Sequence, residues 1–217
     1  MSEHESERLT LVIGNRNLSS WSLRPWLVAK QSGLPFKEIV VRLDQPDSAT
    51  RIRHHSPSGK VPCLLVDDSR GSWPIWDSLA ICEYLAERVP TLWPAERAQR
   101  AEARAISAEM HAGFTALRQN LPMDICAERP LPDLPPAVAA DVARIVSLWE
   151  ACRSRHAAQG PFLFGAFSIA DAMYAPVVWR FRTYAVNVPP AAQAWQQTML
   201  DLPAMCEWQS GALAEVA

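Results

Sequence analysis

The chain has 217 residues, of which 49% are apolar and 20% charged, with a formal net charge of −2. This is the composition of an ordinary soluble globule, long enough for one large domain or two small ones. It gives no sign of binding nucleic acid or an anionic membrane surface, and no apolar run approaches the roughly 20 residues needed to span a bilayer. The polar start, Met1 to Arg8, lacks the basic-then-apolar order of a secretory signal and is expected to stay loose until Leu9.

Leu9 to Ile13 reads as a short strand that ends at Gly14-Asn15. Ser22 to Lys30 has helical spacing, with Pro25 expected in its first turn and Gly33 as its stop. Phe36 to Leu43 reads as a second strand, and Asp44 to His55 as a short helix or polar arm. Val61–Val66 and Trp73–Trp76 are short strands, followed by a helix from Ser78 to Arg88. The order is β-α-β, a connector, then β-β-α, which favours a parallel pair and then a hairpin. After Val89-Pro90 the strands stop. A long helical segment is expected over Pro94–Leu121 and another from Pro135-Pro136 to about Gln159. Ser168-Ile169-Ala170-Asp171 is a capping box opening an apolar helix, and two shorter helices follow around Pro190–Leu200 and Pro203–Ala214. The chain therefore reads as a small α/β domain over residues 1–88 and an all-helical domain over 95–217.

The five cysteines, Cys63, Cys82, Cys126, Cys152 and Cys206, are odd in number and lack a C-x-x-C pair. They read as small buried hydrophobes in a reducing, cytoplasmic compartment, and not as a disulfide framework or a zinc site. His54-His55 has no third ligand near it and reads as an exposed arm, so no metal is expected. Most of the nine tryptophans should serve packing, with Trp21 and Trp26 placed to line a cleft.

Two stretches carry chemistry. Asn15 to Ser22 joins the first strand to the first helix, and such turns face the ligand crevice in open α/β sheets. Three serines crowd there. Either Ser20 or Ser22 caps the helix, and another hydroxyl is free to donate to an anion in the crevice. No general base and no G-x-S-x-G elbow accompany them, so a hydrolase nucleophile is disfavoured. A hydroxyl that only donates needs no base, and one charge-assisted bond supplies about 1.5–3 kcal/mol, enough to lower a ligand thiol by one or two units.

The second stretch runs Ser56-Pro57-Ser58-Gly59-Lys60-Val61-Pro62 and on to Asp77-Ser78. Pro62 is tolerated at the first position of a strand. On the residues alone the Val61–Pro62 bond is expected trans, since only about 5–6% of such bonds are cis. The Val61 backbone can pair with a peptide-like ligand. Asp77 can take an ammonium group, and Ser78 with the helix N-terminus a carboxylate.

Taken together, Ser19-Ser20-Trp21-Ser22-Leu23-Arg24, Ser58-Gly59-Lys60-Val61-Pro62, Asp77-Ser78-Leu79-Ala80-Ile81 and Ser168-Ile169-Ala170-Asp171 resemble the soluble glutathione transferases over nearly the whole length. The serine-rich turn looks most like the zeta class and related bacterial branches. The resemblance implies a thioredoxin-like N-terminal domain, an all-α C-terminal domain, a cis Val61–Pro62 bond and glutathione as co-substrate. It implies Ser19 as the hydroxyl that activates the sulfur, with Ser20 as its rival. Lys60, Val61, Pro62, Asp77 and Ser78 would hold glutathione. Trp21, His111, Phe114 and Arg118 would border the second-substrate pocket, the last three on one helix face. The partners implied are a small electrophile and a second copy of the chain, as a homodimer. The zeta class usually carries cysteine where Trp21 stands, which counts against maleylacetoacetate isomerase activity. Conjugation is thus the expected reaction; a glutathione-dependent isomerase and a non-catalytic binding protein are the alternatives.

Overall fold

The computed structural model of the protein describes residues 7–216, so the expectation for Met1 to Ser6 falls outside the described residues. The first strand, β1 (Arg8–Ile13), already includes Arg8. It is followed by α1 (Ser20–Ser32), β2 (Phe36–Val40), α2 (Ser48–His55), β3 (Cys63–Asp68), β4 (Gly71–Ile75) and α3 (Ser78–Arg88). The four strands form one sheet in the order β2-β1-β3-β4. β1 runs parallel to β2, with Leu9 opposite Phe36, and antiparallel to β3, with Val12 opposite Cys63. The β3–β4 pair is an antiparallel hairpin. This is the thioredoxin-like arrangement that the resemblance implies.

Alternation along β1 divides its side chains between two layers. Leu9, Leu11 and Ile13 join the main core beneath α1 and α3, while Val12 meets Val41, Ile52 and Cys63 on the other face. Gly33 ends α1 at φ 72°, a conformation that suits a residue without Cβ. Because α1 starts at Ser20, two residues before the expected start, Pro25 lies in its second turn. Trp26 is fully buried, with its Nε1 donating to Glu38 at 2.9 Å, so it does not line a cleft as the sequence suggested. Cys63, Cys82 and Cys152 are buried as expected, but Cys126 is only half-buried and Cys206 is exposed.

The rest of the described chain is helical: α4 (Arg97–Ala112), α5 (Thr115–Asn120), α6 (Pro136–His156), α7 (Ile169–Thr183), α8 (Pro190–Leu200) and α9 (Pro203–Val216). The continuous helix expected over Pro94–Leu121 is broken at Gly113 and Phe114, the latter at φ 59°. The Arg118 guanidinium closes the break by donating to the carbonyls of Met110, His111 and Gly113 at the end of α4. α7 is buried on nearly every side, which explains its apolar sequence. Its capping box forms as read, and the Asp171 carboxylate also accepts from Leu163 N–H and Trp195 Nε1.

α1 packs against α7, and this contact sets the first turn in place. Arg24 Nε donates to the Met173 carbonyl at 3.1 Å. Glu215 in α9 accepts from the N–H groups of Arg16 and Asn17 at 2.8 and 3.1 Å, and Asn17 Nδ2 donates to Asp124 at 3.0 Å. The helical domain therefore fixes the end of the sheet where the serines lie.

Candidate functional site

A cavity of about 390 Å³ opens where the first βα turn, the chain before β3 and the N-terminus of α3 converge. All five residues expected to hold glutathione line it: Lys60, Val61, Pro62, Asp77 and Ser78. Trp21 and His111 form its other wall, and Ser58 and Trp76, which the sequence reading did not select, complete it. A larger cavity, about 500 Å³, opens beside Trp93 and Arg104 but contains none of the motif residues, so size alone does not locate the site.

The backbone geometry explains why these side chains meet. The Val61–Pro62 bond is cis, as is Trp76–Asp77. The β3 ladder begins only at Cys63, which leaves Val61 outside it at the cavity wall. Asp77 is the N-cap of α3: its Oδ1 accepts from the N–H groups of Leu79 and Ala80 at 3.1 and 3.5 Å. Its Oδ2 lies 2.9 Å from His111 Nε2, a contact that joins the start of α3 to the end of α4. Ser78 is 1% exposed, and its hydroxyl has no hydrogen-bond partner among the described residues. A buried hydroxyl left unpaired at the positive end of a helix favours an anionic acceptor.

The serines of the first turn sit deeper. Ser19 and Ser20 are 6% and 7% exposed, and neither is among the residues that line the cavity. Ser19 Oγ donates to Ser22 Oγ at 2.8 Å, and Ser22 Oγ accepts from Gly14 N–H at 3.0 Å. Ser20 Oγ accepts from the Arg180 guanidinium at 3.3 Å. Neither Ser20 nor Ser22 therefore caps α1 through its side chain.

Of the three residues expected on one helix face, only His111 lines the cavity. The break at Gly113 turns Phe114 into the core, where it is 8% exposed. Arg118 stands behind the wall, its guanidinium 4.7 Å from the Trp21 ring centre. Arg24 covers Trp21 at 4.3 Å and meets a carbonyl and an indole. Arg24 Nη1 is buried without a hydrogen-bond partner among the described residues. Burial lowers the Arg24 pKa to about 9, and the positive charges of Arg118 and Arg180 add to the effect. Arg180 is lowered to about 10 by burial and by Arg118. Three cations thus crowd the start of α1. Among the described residues, no group of three or more His, Cys, Asp or Glu is placed to hold a metal ion.

A thioredoxin-like sheet beside a helical bundle, with a crevice between the first βα turn, the chain before β3 and the start of α3, defines a two-domain fold. Comparison with protein families gives the same class. Residues 18–89 match the model of the glutathione S-transferase N-terminal domain and residues 135–199 that of the C-terminal domain, together more than half of the chain. The chain belongs to the glutathione transferase family. Among solved structures it is similar to a glutathione transferase homolog from Burkholderia with bound glutathione, at 24% identity and TM-score 0.70, covering 95% of this chain and 99% of that one. It is also similar to the theta class glutathione S-transferase of Xanthomonas axonopodis pv. citri with glutathione bound, at 26% identity and TM-score 0.62, covering 94% and 97%. A third is maleylacetoacetate isomerase from Anaeromyxobacter dehalogenans with bound dicarboxyethyl glutathione and citrate, at 22% identity and TM-score 0.70, covering 97% and 94%. A search of curated proteins returns no match.

Proposed function

We propose that the protein is a glutathione transferase that conjugates the glutathione thiolate to small electrophiles. The observation that carries this reading is the unpaired, buried Ser78 hydroxyl beside the Asp77 carboxylate, facing a Val61 backbone outside the strand ladder. A γ-glutamyl group offers the matching set, with its carboxylate for Ser78 and its ammonium for Asp77. The cysteinyl backbone pairs with Val61, and Lys60 takes the glycyl carboxylate. Sulfur then lies toward the first turn, where the Ser19 hydroxyl donates to the thiolate. The thiol proton leaves to solvent. The thiolate attacks the electrophilic carbon and a leaving group departs, or the carbon of an activated alkene takes a proton from water. The two reactants are held together, and this proximity supplies much of the rate. The protein acts as a cytoplasmic homodimer in this reading.

Calorimetric titration with glutathione tests the site directly; no heat and no thermal shift at millimolar ligand would overturn it. Asp77→Asn is the sharper probe. Asparagine still caps α3 but lacks the charge that attracts an ammonium, so KM for glutathione should rise about tenfold at nearly unchanged thermal stability. Equal losses of stability and affinity would count against a ligand role for Asp77.

One observation favours a second reading. Arg24, Arg118 and Arg180 face one another, and among the described residues no carboxylate bonds to Arg24 or Arg180. Positive charge gathered behind the Trp21 wall would attract an anionic electrophile in the cavity, as a glutathione-dependent isomerase of an unsaturated acid would need. Replacement of Arg180 by methionine should raise KM for such an acid about tenfold or more while changing KM for a neutral chloro-arene less than about threefold. Equal effects on both substrates would remove the support for an anionic substrate. Binding of glutathione with turnover of neither substrate would identify a non-catalytic binding protein.

A further inference from the structure

Ser22 has no role in the proposed reaction, yet its surroundings are unusual for a serine inside a helix. It is fully buried in the first turn of α1. The carbonyl four residues earlier belongs to Leu18, before the helix, so the back-bond common to mid-helix serines is not open to it. Ser22 instead accepts the N–H of Gly14 at the end of β1, 3.0 Å away, and the hydroxyl of Ser19 at 2.8 Å. Ser19 is equally unusual. It stands at the N-cap of α1 but makes no side-chain cap bond, and its hydroxyl is turned onto Ser22. Gly14 holds the three together: a Cβ there would lie 3.0 Å from Ser19 Oγ and 2.7 Å from Leu43 Cδ1.

We propose that Ser22 is a positioning residue that aims the Ser19 proton at the bound sulfur through a chain running from Gly14 N–H to Ser22 to Ser19. This rests on the reading of Ser19 as the thiolate donor. Without ligand the Ser19 proton lies on Ser22. When a thiolate is present, Ser19 turns its proton to the sulfur, and Ser22 donates its own proton to the Ser19 oxygen. The bond between the two serines keeps the same pair of oxygens with its direction reversed. No proton is transferred from either serine, and the thiol proton goes to solvent. The Gly14 N–H is a fixed, non-titrating donor at the far end, so every bond in the chain points toward the negative charge. A hydroxyl that accepts a bond in this way is a stronger donor.

The test uses the intact protein with bound glutathione and follows the ultraviolet absorbance of the thiolate against pH. Ser19→Ala should raise the midpoint by about one to two units, the loss of one charge-assisted bond. Ser22→Ala should raise it by about half a unit, because Ser19 still donates but is no longer polarised or oriented. The double variant should match Ser19→Ala, since Ser22 acts only through Ser19. A purely structural Ser22 would lower the melting temperature and leave the midpoint in place, which would overturn the proposal, as would additive shifts in the double variant. Should Ser22→Ala fail to fold, Ser22→Cys, with a weak thiol donor, reads the same way: a raised midpoint supports the chain and an unchanged one overturns it. Wild-type protein that binds no glutathione overturns the site and the chain together. Binding with an unmoved Ser22→Ala midpoint overturns the chain alone.

Discussion

Ser19→Ala is expected to lower kcat/KM for conjugation about 10- to 100-fold while changing glutathione affinity less than about threefold. The two halves of this result have separate causes. In the proposed reading, affinity comes from the far end of the tripeptide, through Val61, Asp77 and Ser78, which line the cavity and which the substitution does not touch. Rate comes from the fraction of bound ligand present as thiolate. A free thiol titrates at about 8.5, so removing a bond worth about 1.5–3 kcal/mol returns the sulfur to the thiol form at neutral pH. The sign is fixed: the Ser19 variant should recover activity as pH rises toward the ordinary thiol range, where the wild-type rate is already level. Ser20 provides the control. Its oxygen accepts from Arg180, so its own proton is uncommitted, and it is the other hydroxyl able to donate to sulfur. If Ser20→Ala loses the rate and Ser19→Ala keeps it, the donor is Ser20. If both variants stay active, the serine mechanism is wrong.

The parts of the fold visible in the sequence are those set by local rules. A short apolar run marked β1, the β3–β4 hairpin follows two more such runs, and the Ser168–Asp171 box opens α7 where its pattern requires. The meeting of Lys60, Val61, Pro62, Asp77 and Ser78 at one cavity was also legible, because they lie at the ends of such elements. What escaped depends on contacts between distant segments. Nothing in Gly113-Phe114 signals a positive φ at phenylalanine, so the break after α4, and with it the burial of Phe114, could not be read from helical spacing. Arg24 and Arg180 are brought together only by the packing of α1 on α7, and Asp77 and His111 only because the end of α4 reaches the start of α3. Trp26 shows the same limit. Its position near the serine turn suggested a cleft, but the ring faces Trp208 from the last helix, 5.0 Å away, and is sealed there. His111 stood out in sequence by its helix and lies at the wall of the same cavity as Asp77, but its contact with Asp77 has no local signature.

Asp171→Ala should leave little folded protein at 37 °C, with a loss of at least about 4 kcal/mol against a total stability of about 5–15 kcal/mol. The carboxylate is fully buried and accepts four bonds: Leu163 N–H and Trp195 Nε1 on one oxygen, Ser168 N–H and Oγ on the other, all at 2.9–3.0 Å. Burial raises its pKa, and these four donors oppose the rise. Alanine leaves all four donors dry, at about 1–3 kcal/mol for each buried group, and removes half of the capping box as well. Asp171→Asn is the informative companion. An amide keeps the size but offers one acceptor and one donor, so whichever way it turns, one pair of donors faces an NH₂ group. Asp171→Asn should therefore cost nearly as much as Asp171→Ala, and chemical denaturation of the two would measure it. A mild Asp171→Asn with a severe Asp171→Ala would mean that volume, and not the pattern of donors, holds α7 in place. The consequence reaches the site, because α7 carries both Met173, whose carbonyl holds Arg24, and Arg180, which holds Ser20. Partial unfolding of its first turn should therefore be felt as lost conjugation before the sheet itself melts. Activity and far-ultraviolet dichroism followed on one thermal ramp of Asp171→Asn should separate, with activity falling first; coincident transitions would show that α7 and the sheet unfold as one unit.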